Sequence, residues 1–361
     1  MATVVLAGIA AAAGAAAAAG TGLFFATLFS VTGLTAFAIG AGLSLVSRAL
    51  APKLDLGTQM GGRSVMTREA AQSRKIVYGR ARIGGNIVYL ESTGADNKYL
   101  YLVIAVAGHE IDAYEEVWFN DEKIYNGTSF INGWAQFVNI AFYKGDQTEA
   151  DGVLVQASAT NNGKWTTAHK LLDTAYMVVR LEHDVDKFAQ GLPNISTVIR
   201  GKKVLDPSNN TTAWSQNPAL CIYDYLRDTK YGLGESVANI LTSSVIAAKD
   251  VCNEPVQIKP AADNVTQPRY TIDGVVDTAS SIKSNIETMT GSMIGRLIYS
   301  GGKFEIHAGE YVAPTITIDE SMAVGEITVQ TKQSRRNAFN GVKGVFVSED
   351  DNYIVADYPA Q

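Results

Sequence analysis

The chain has 361 residues, 47% of them hydrophobic and 18% charged, a composition that supports folded domains with buried cores and excludes a disordered polymer. Its formal net charge of −6 argues against bulk nucleic-acid binding, because neutralising phosphates takes a basic surface. Every charged residue lies between Arg48 and Asp357, so the first 47 residues contribute nothing to that balance.

That opening segment is the first predicted element. A secretory signal needs a basic stretch ahead of its apolar run, and here nothing positive precedes residue 48. Residues 3–19 are mostly alanine, which favours helix but carries little hydrophobic free energy. From Leu23 to Ser47 the residues are strongly apolar: Leu23, Phe24, Phe25, Leu28, Phe29, Val31, Leu34, Phe37, Ile39, Leu43, Leu45 and Val46 outweigh the interspersed Ser, Thr and Gly. As one helix at about 1.5 Å rise per residue this stretch reaches roughly 38 Å, more than the ~30 Å hydrocarbon thickness of a bilayer. Thr32, Ala36, Gly40 and Ser44 recur at i, i+4, a small-residue stripe that lets helix backbones approach closely. Two readings stand on these residues: helices that bundle with their own copies, or a membrane anchor in which the stripe is incidental.

Residues 51–75, with Pro52, Gly57, Gly61 and Gly62, lack either hydrophobic period and read as a linker. Strand signals then dominate residues 76–210. "NIVYLES" and "KYLYLVIAVAG" flank the turn-forming "TGADN" and predict a hairpin; "AYEEVWFNDEKIYNG" predicts another around Asn120-Asp121; further strands are expected over 138–143, 175–182 and 197–204. The pattern changes at Asn217, a helix cap followed by Pro218 at the first helical position. A second helix is expected from Val237 to Cys252 behind Ser236, and a third behind Thr278 with Ile282, Ile286 and Met289 on one face. "RLIYSGGKFEIHAG" predicts a hairpin turned by Gly301-Gly302. Residues 211–330 thus read as an α+β unit, with helices on a small antiparallel sheet. Residues 331–361 begin a strand and pass into an acidic loop, which either returns to the β-rich unit or starts a further domain.

Chemistry is sparse. His109, His169, His183 and His307 sit at no metal-ligand spacing, with His109 and His307 read as turn or surface histidines. Cys221 and Cys252 fall in helical stretches, most simply as two free buried thiols, with one disulfide between packed helices as the alternative. There is no GxSxG elbow, HExxH or P-loop, and the adjacent pairs Glu115-Glu116 and Asp350-Asp351 cannot be argued into an acid–base dyad. No catalytic set, cofactor site or metal site is expected.

Several stretches together resemble the N-terminal part of the tail-tip attachment protein J (host-specificity protein J) family of long-tailed bacteriophages. They are "RKIVYGRARIGG", "YLVIAVAGHEIDAYEEVWFNDE", "GLPNISTVIRGKKVLDP", "TAWSQNPALCIYDYLRDTKYGLG", "RYTIDGVVDT", "GRLIYSGGKFEIHAGEY" and "SRRNAFNGVKGVFVS", in order over about residues 74–348. The resemblance implies an α+β, predominantly β chain: a β-barrel-like tail-hub domain and a smaller helix-and-hairpin hub domain, behind the apolar helical segment of residues 1–50. It implies a homotrimeric virion protein at the tail tip that joins the distal tail and other tail-tip proteins to a central fibre and closes the tube, with interfaces in place of a catalytic set. Family members usually continue well past this length, so receptor binding is not expected in these residues.

In such a threefold hub, the helices bearing Thr32, Ala36, Gly40 and Ser44 are expected to form an axial plug. It would touch the tape-measure protein and present Phe24, Phe25, Leu28, Phe29, Leu34 and Phe37 to a host membrane during transient contact at DNA ejection. DNA would pass without specific binding, in keeping with the acidic balance. The competing expectation is a membrane-anchored or pore-forming protein with a β-rich ectodomain.

Overall fold

The computed structural model describes residues 65–161, 163–257, 265–317, 319–322, 325, 345–348 and 352–357. Its chain order begins with seven strands: β1 (Lys75–Tyr78), β2 (Arg80–Gly84), β3 (Asn86–Thr93), β4 (Tyr99–Ala107), β5 (Ala113–Phe119), β6 (Glu122–Tyr125) and β7 (Val138–Tyr143). Helix α1 (Gly152–Ala159) precedes β8 (Ala175–Glu182), β9 (Ile195–Arg200), β10 (Lys203–Asp206) and β11 (Thr211–Trp214). Then come α2 (Pro218–Arg227), α3 (Thr242–Asn253), β12 (Pro255–Gln257), β13 (Thr266–Pro268), β14 (Gly274–Asp277) and α4 (Ile282–Gly291). The hairpins β15 (Arg296–Ser300) with β16 (Lys303–His307) and β17 (Val345–Ser348) with β18 (Ile354–Asp357) follow.

Two four-stranded antiparallel sheets, ordered β2-β9-β5-β6 and β3-β4-β8-β7, hold the β-rich part. Alternate residues of both point into one core: Ile83, Val117, Phe119, Ile195 and Ile199 meet Leu102, Ile104, Met177, Val179 and Leu181. The other face of the second sheet is also covered. Tyr101, Val103, Tyr176 and Val178 pack with Leu154 of α1 and with Trp165. Both faces being buried explains why β4 and β8 read as continuous apolar runs.

A separate core gathers α2, α3 and α4 with Ile306 of β16 and Met293. The Asn217 side chain accepts from Ala219 N and Leu220 N and so caps α2 as expected, and its amide nitrogen donates to Lys249 O of α3 at 3.0 Å. Gly301 and Gly302 turn the β15–β16 hairpin at φ 57° and 81°, a region L side chains rarely enter.

β1 lies between the two cores. It pairs antiparallel with β14, matching Ile76 to Val276, and its period of two sends Ile76 and Tyr78 into the helical core and Val77 into the sheet core. Gly201 lies against this seam: a Cβ there would stand 2.1 Å from the Val77 carbonyl oxygen, where Lys202 N–H donates at 2.8 Å.

Two expected elements differ, and two more were not expected. The strand over 197–204 is two strands, β9 and β10, because the chain turns at Gly201. The helix from Val237 to Cys252 is a short 3-10 turn at Val237–Asn239 followed by α3 from Thr242. Ile240 bridges Phe304 and Leu241 N–H donates to Phe304 O at 2.8 Å, so the chain is extended where a helix would need a turn. Helix α1 and the β10–β11 hairpin were not expected at all.

Candidate interaction surface

Among the described residues no group of three His, Cys, Asp or Glu side chains is placed to hold a metal ion. His109, expected in a turn or at the surface, is a buried structural histidine. Its Nε2 accepts from Val77 N–H at 2.9 Å and Nδ1 donates to Glu110 O at 2.7 Å. Burial pushes its pKa down to about 4, since a charged imidazole there would lose its hydration. His307 is exposed, 3.3 Å from Glu305. Cys221 and Cys252 are free and buried, and burial raises both thiols.

Several carboxylates are engaged by cations. Lys202 Nζ lies 2.7 Å from Asp224 and 2.6 Å from Asp228, and Tyr78 OH donates to Asp224 at 2.6 Å. Burial opposes the Lys202 charge, but Asp224 and Asp228 more than offset it and raise the lysine pKa. Glu115 pairs with Arg80 and lies 3.6 Å from Arg200, while Glu116 accepts from Lys123 at 2.6 Å and from Trp118 Nε1 at 2.9 Å. Arg82 sits 4.4 Å from the Trp118 ring centroid and donates to Asn352 O at 3.0 Å, which holds the turn between β17 and β18 on the outer face of the first sheet. These networks fasten elements to one another.

What stands open is a surface around the β15–β16 hairpin. β15 pairs with β16 alone, so its other edge is unpaired among the described residues. Between this hairpin and α4 runs a groove lined by Ile282, Ile286, Leu297, Ile298 and Phe304, with Lys283, Glu287 and Arg296 also along it. Beyond β16 the chain is fixed at Gly309, whose N–H donates to Met293 O at 2.9 Å and whose carbonyl accepts from Tyr270 OH at 2.8 Å. The following segment, Glu310–Thr317, is exposed throughout and in no regular element, leaving Tyr311 86%, Val312 69% and Ile316 73% accessible. Ile294, beside Gly309, is a β-branched residue at φ 50° and is itself 74% exposed. No periodicity in the sequence marks these residues.

The residues singled out in the opening segment, namely Phe24, Phe25, Leu28, Phe29, Thr32, Leu34, Ala36, Phe37, Gly40 and Ser44, lie outside the described residues. Among the described residues no helix is long and apolar enough to cross a membrane.

No family model matches the chain. It is 23% identical over 348 residues to the baseplate hub protein pb3 of Escherichia phage T5, covering 77% of this chain and 36% of that protein. It is 23% identical over 193 residues to the tip attachment protein J of Escherichia phage SECphi27, covering 49% of this chain and 16% of that one. The chain therefore spans about a third and about a sixth of the length of these two relatives. A chain in the virion of a native gene transfer agent particle superposes with a TM-score of 0.48 at 15% identity, over 91% of this chain and 76% of that one. The family read from the quoted stretches and the two phage relatives coincide: the chain is similar to J-like tail-tip hub proteins, components of the phage virion tail.

Proposed function

We propose that three copies of this chain form a ring at the tail tip that joins the distal tail and neighbouring tip proteins to a central fibre and closes the tube until the host is met. The protein works by assembly and not by catalysis. The observation that carries this reading is the similarity to a baseplate hub protein over 77% of the chain. The edge of β15 that is unpaired among the described residues supports it, since an unpaired edge can take a partner strand.

In the same reading, residues 1–47 form the axial plug. Charge-free helices are costly in water, and copies held around a threefold axis would shield one another through the stripe Thr32, Ala36, Gly40 and Ser44. The plug meets the tape-measure protein and enters the host membrane as DNA leaves, with Phe24, Phe25, Leu28, Phe29, Leu34 and Phe37 as its apolar face.

Light scattering on the full-length chain is expected to give a threefold mass, and a stable monomer would overturn the ring. In liposome flotation the chain within assembled tails should stay at the bottom of the gradient. Flotation of intact tails would instead identify a constitutive membrane anchor.

A further inference from the structure

Isolated two-stranded sheets are marginal in water, and an open strand edge with a flat apolar flank invites another strand. Among the described residues β15 presents an unpaired edge of this kind. Ile298 and Tyr299 of this strand are 43% and 65% exposed, and the groove against α4 runs beside it. The same chain carries a candidate for that place. Glu310–Thr317 makes no backbone hydrogen bond to another described residue, although it is apolar at Tyr311, Val312, Ala313 and Ile316.

We propose that Glu310–Thr317 of one copy adds as a strand to the open edge of β15 in the next copy, with alternate side chains entering the groove between β15 and α4. This is strand addition, in which main-chain bonds supply affinity and side-chain pockets supply register.

Charge agrees with this assignment. Residues 308–331 contain no Lys or Arg but include Glu310, Asp319 and Glu320, whereas the receiving side bears Arg296 on β15, beside a Lys283–Glu287 pair on α4 at 3.8 Å. Pro314 has no N–H to give, and with that position on the outer side of the added strand the strand cannot itself recruit a further one there. Donor segment and acceptor edge are different surfaces, so the contact is head-to-tail. Such a contact repeats from copy to copy and closes into a ring when its rotation permits. The inference rests on the threefold hub reading, for which it supplies the contact.

The test uses full-length chains carrying two different tags, co-expressed as Ile298→Cys and Val312→Cys variants. A disulfide linking the two tags is expected, with no such link when either variant is expressed alone. In parallel, Val312→Pro, a change at an exposed position, should drop the mass in light scattering threefold while leaving the melting temperature of the body unchanged. A trimer that persists in Val312→Pro and gives no cross-link between tags would overturn this contact and leave the hub reading intact. So would a double variant that forms its disulfide only within one chain. A monomeric wild-type chain would overturn the hub reading itself, and this contact with it.

Discussion

Single side chains at the seam show how burial selects protonation. Above pH 6.5, the ordinary histidine value, His109 is neutral in both folded and unfolded chains. Below it the unfolded imidazole takes up a proton that the folded one refuses until about pH 4. Stability should therefore fall as pH drops through this window, by up to about 1.4 kcal/mol per pH unit and about 3 kcal/mol in all. Chemical unfolding at pH 4 to 7 measures this, and His109→Gln, which keeps an acceptor for Val77 N–H, should remove that part of the slope. An identical slope in the variant would show that His109 does not titrate as described. Lys202 poses the opposite case. Replacing it by Met leaves Asp224 and Asp228 facing each other with little water, and should cost about 3 kcal/mol, the penalty for an uncompensated buried charge.

Elements were legible where their signals are local. Asn217-Pro218 starts α2 and Gly301-Gly302 turns β15 into β16, because cap and turn geometry are decided within a few residues. Asn217→Ala should lower stability by about 2 kcal/mol, the upper end for a cap, since the same side chain also ties α2 to α3. Asn217→Asp, which keeps the acceptor, should recover part of that loss in the same unfolding measurement. Elsewhere the deciding partner is remote. The break before α3 needs Leu241 to donate to Phe304, and β1 finds β14 from the far side of the β-rich part. Helix α1 buries only Leu154 and Ser158 among its eight residues, too faint a stripe to read. The open surface at β15 was illegible for a related reason: Tyr311, Val312 and Ile316 resemble core residues until the fold leaves them outside.

At the scale of the whole molecule, the two cores share one strand, so the described body should unfold as a unit. Calorimetry is expected to show one transition for it, because loss of either core strips β1 of half its contacts; two separated transitions would contradict this. Val77→Ala should weaken that single transition by about 2 kcal/mol through lost burial and the void left behind. The shared strand also limits how the protein can be dissected. A piece cut after residue 210 would leave Ile76 and Tyr78 behind and keep an empty slot where they belong. A synthetic peptide bearing "KIVYG" becomes the natural key for that slot, and its binding would turn the seam into a split reporter for correct folding.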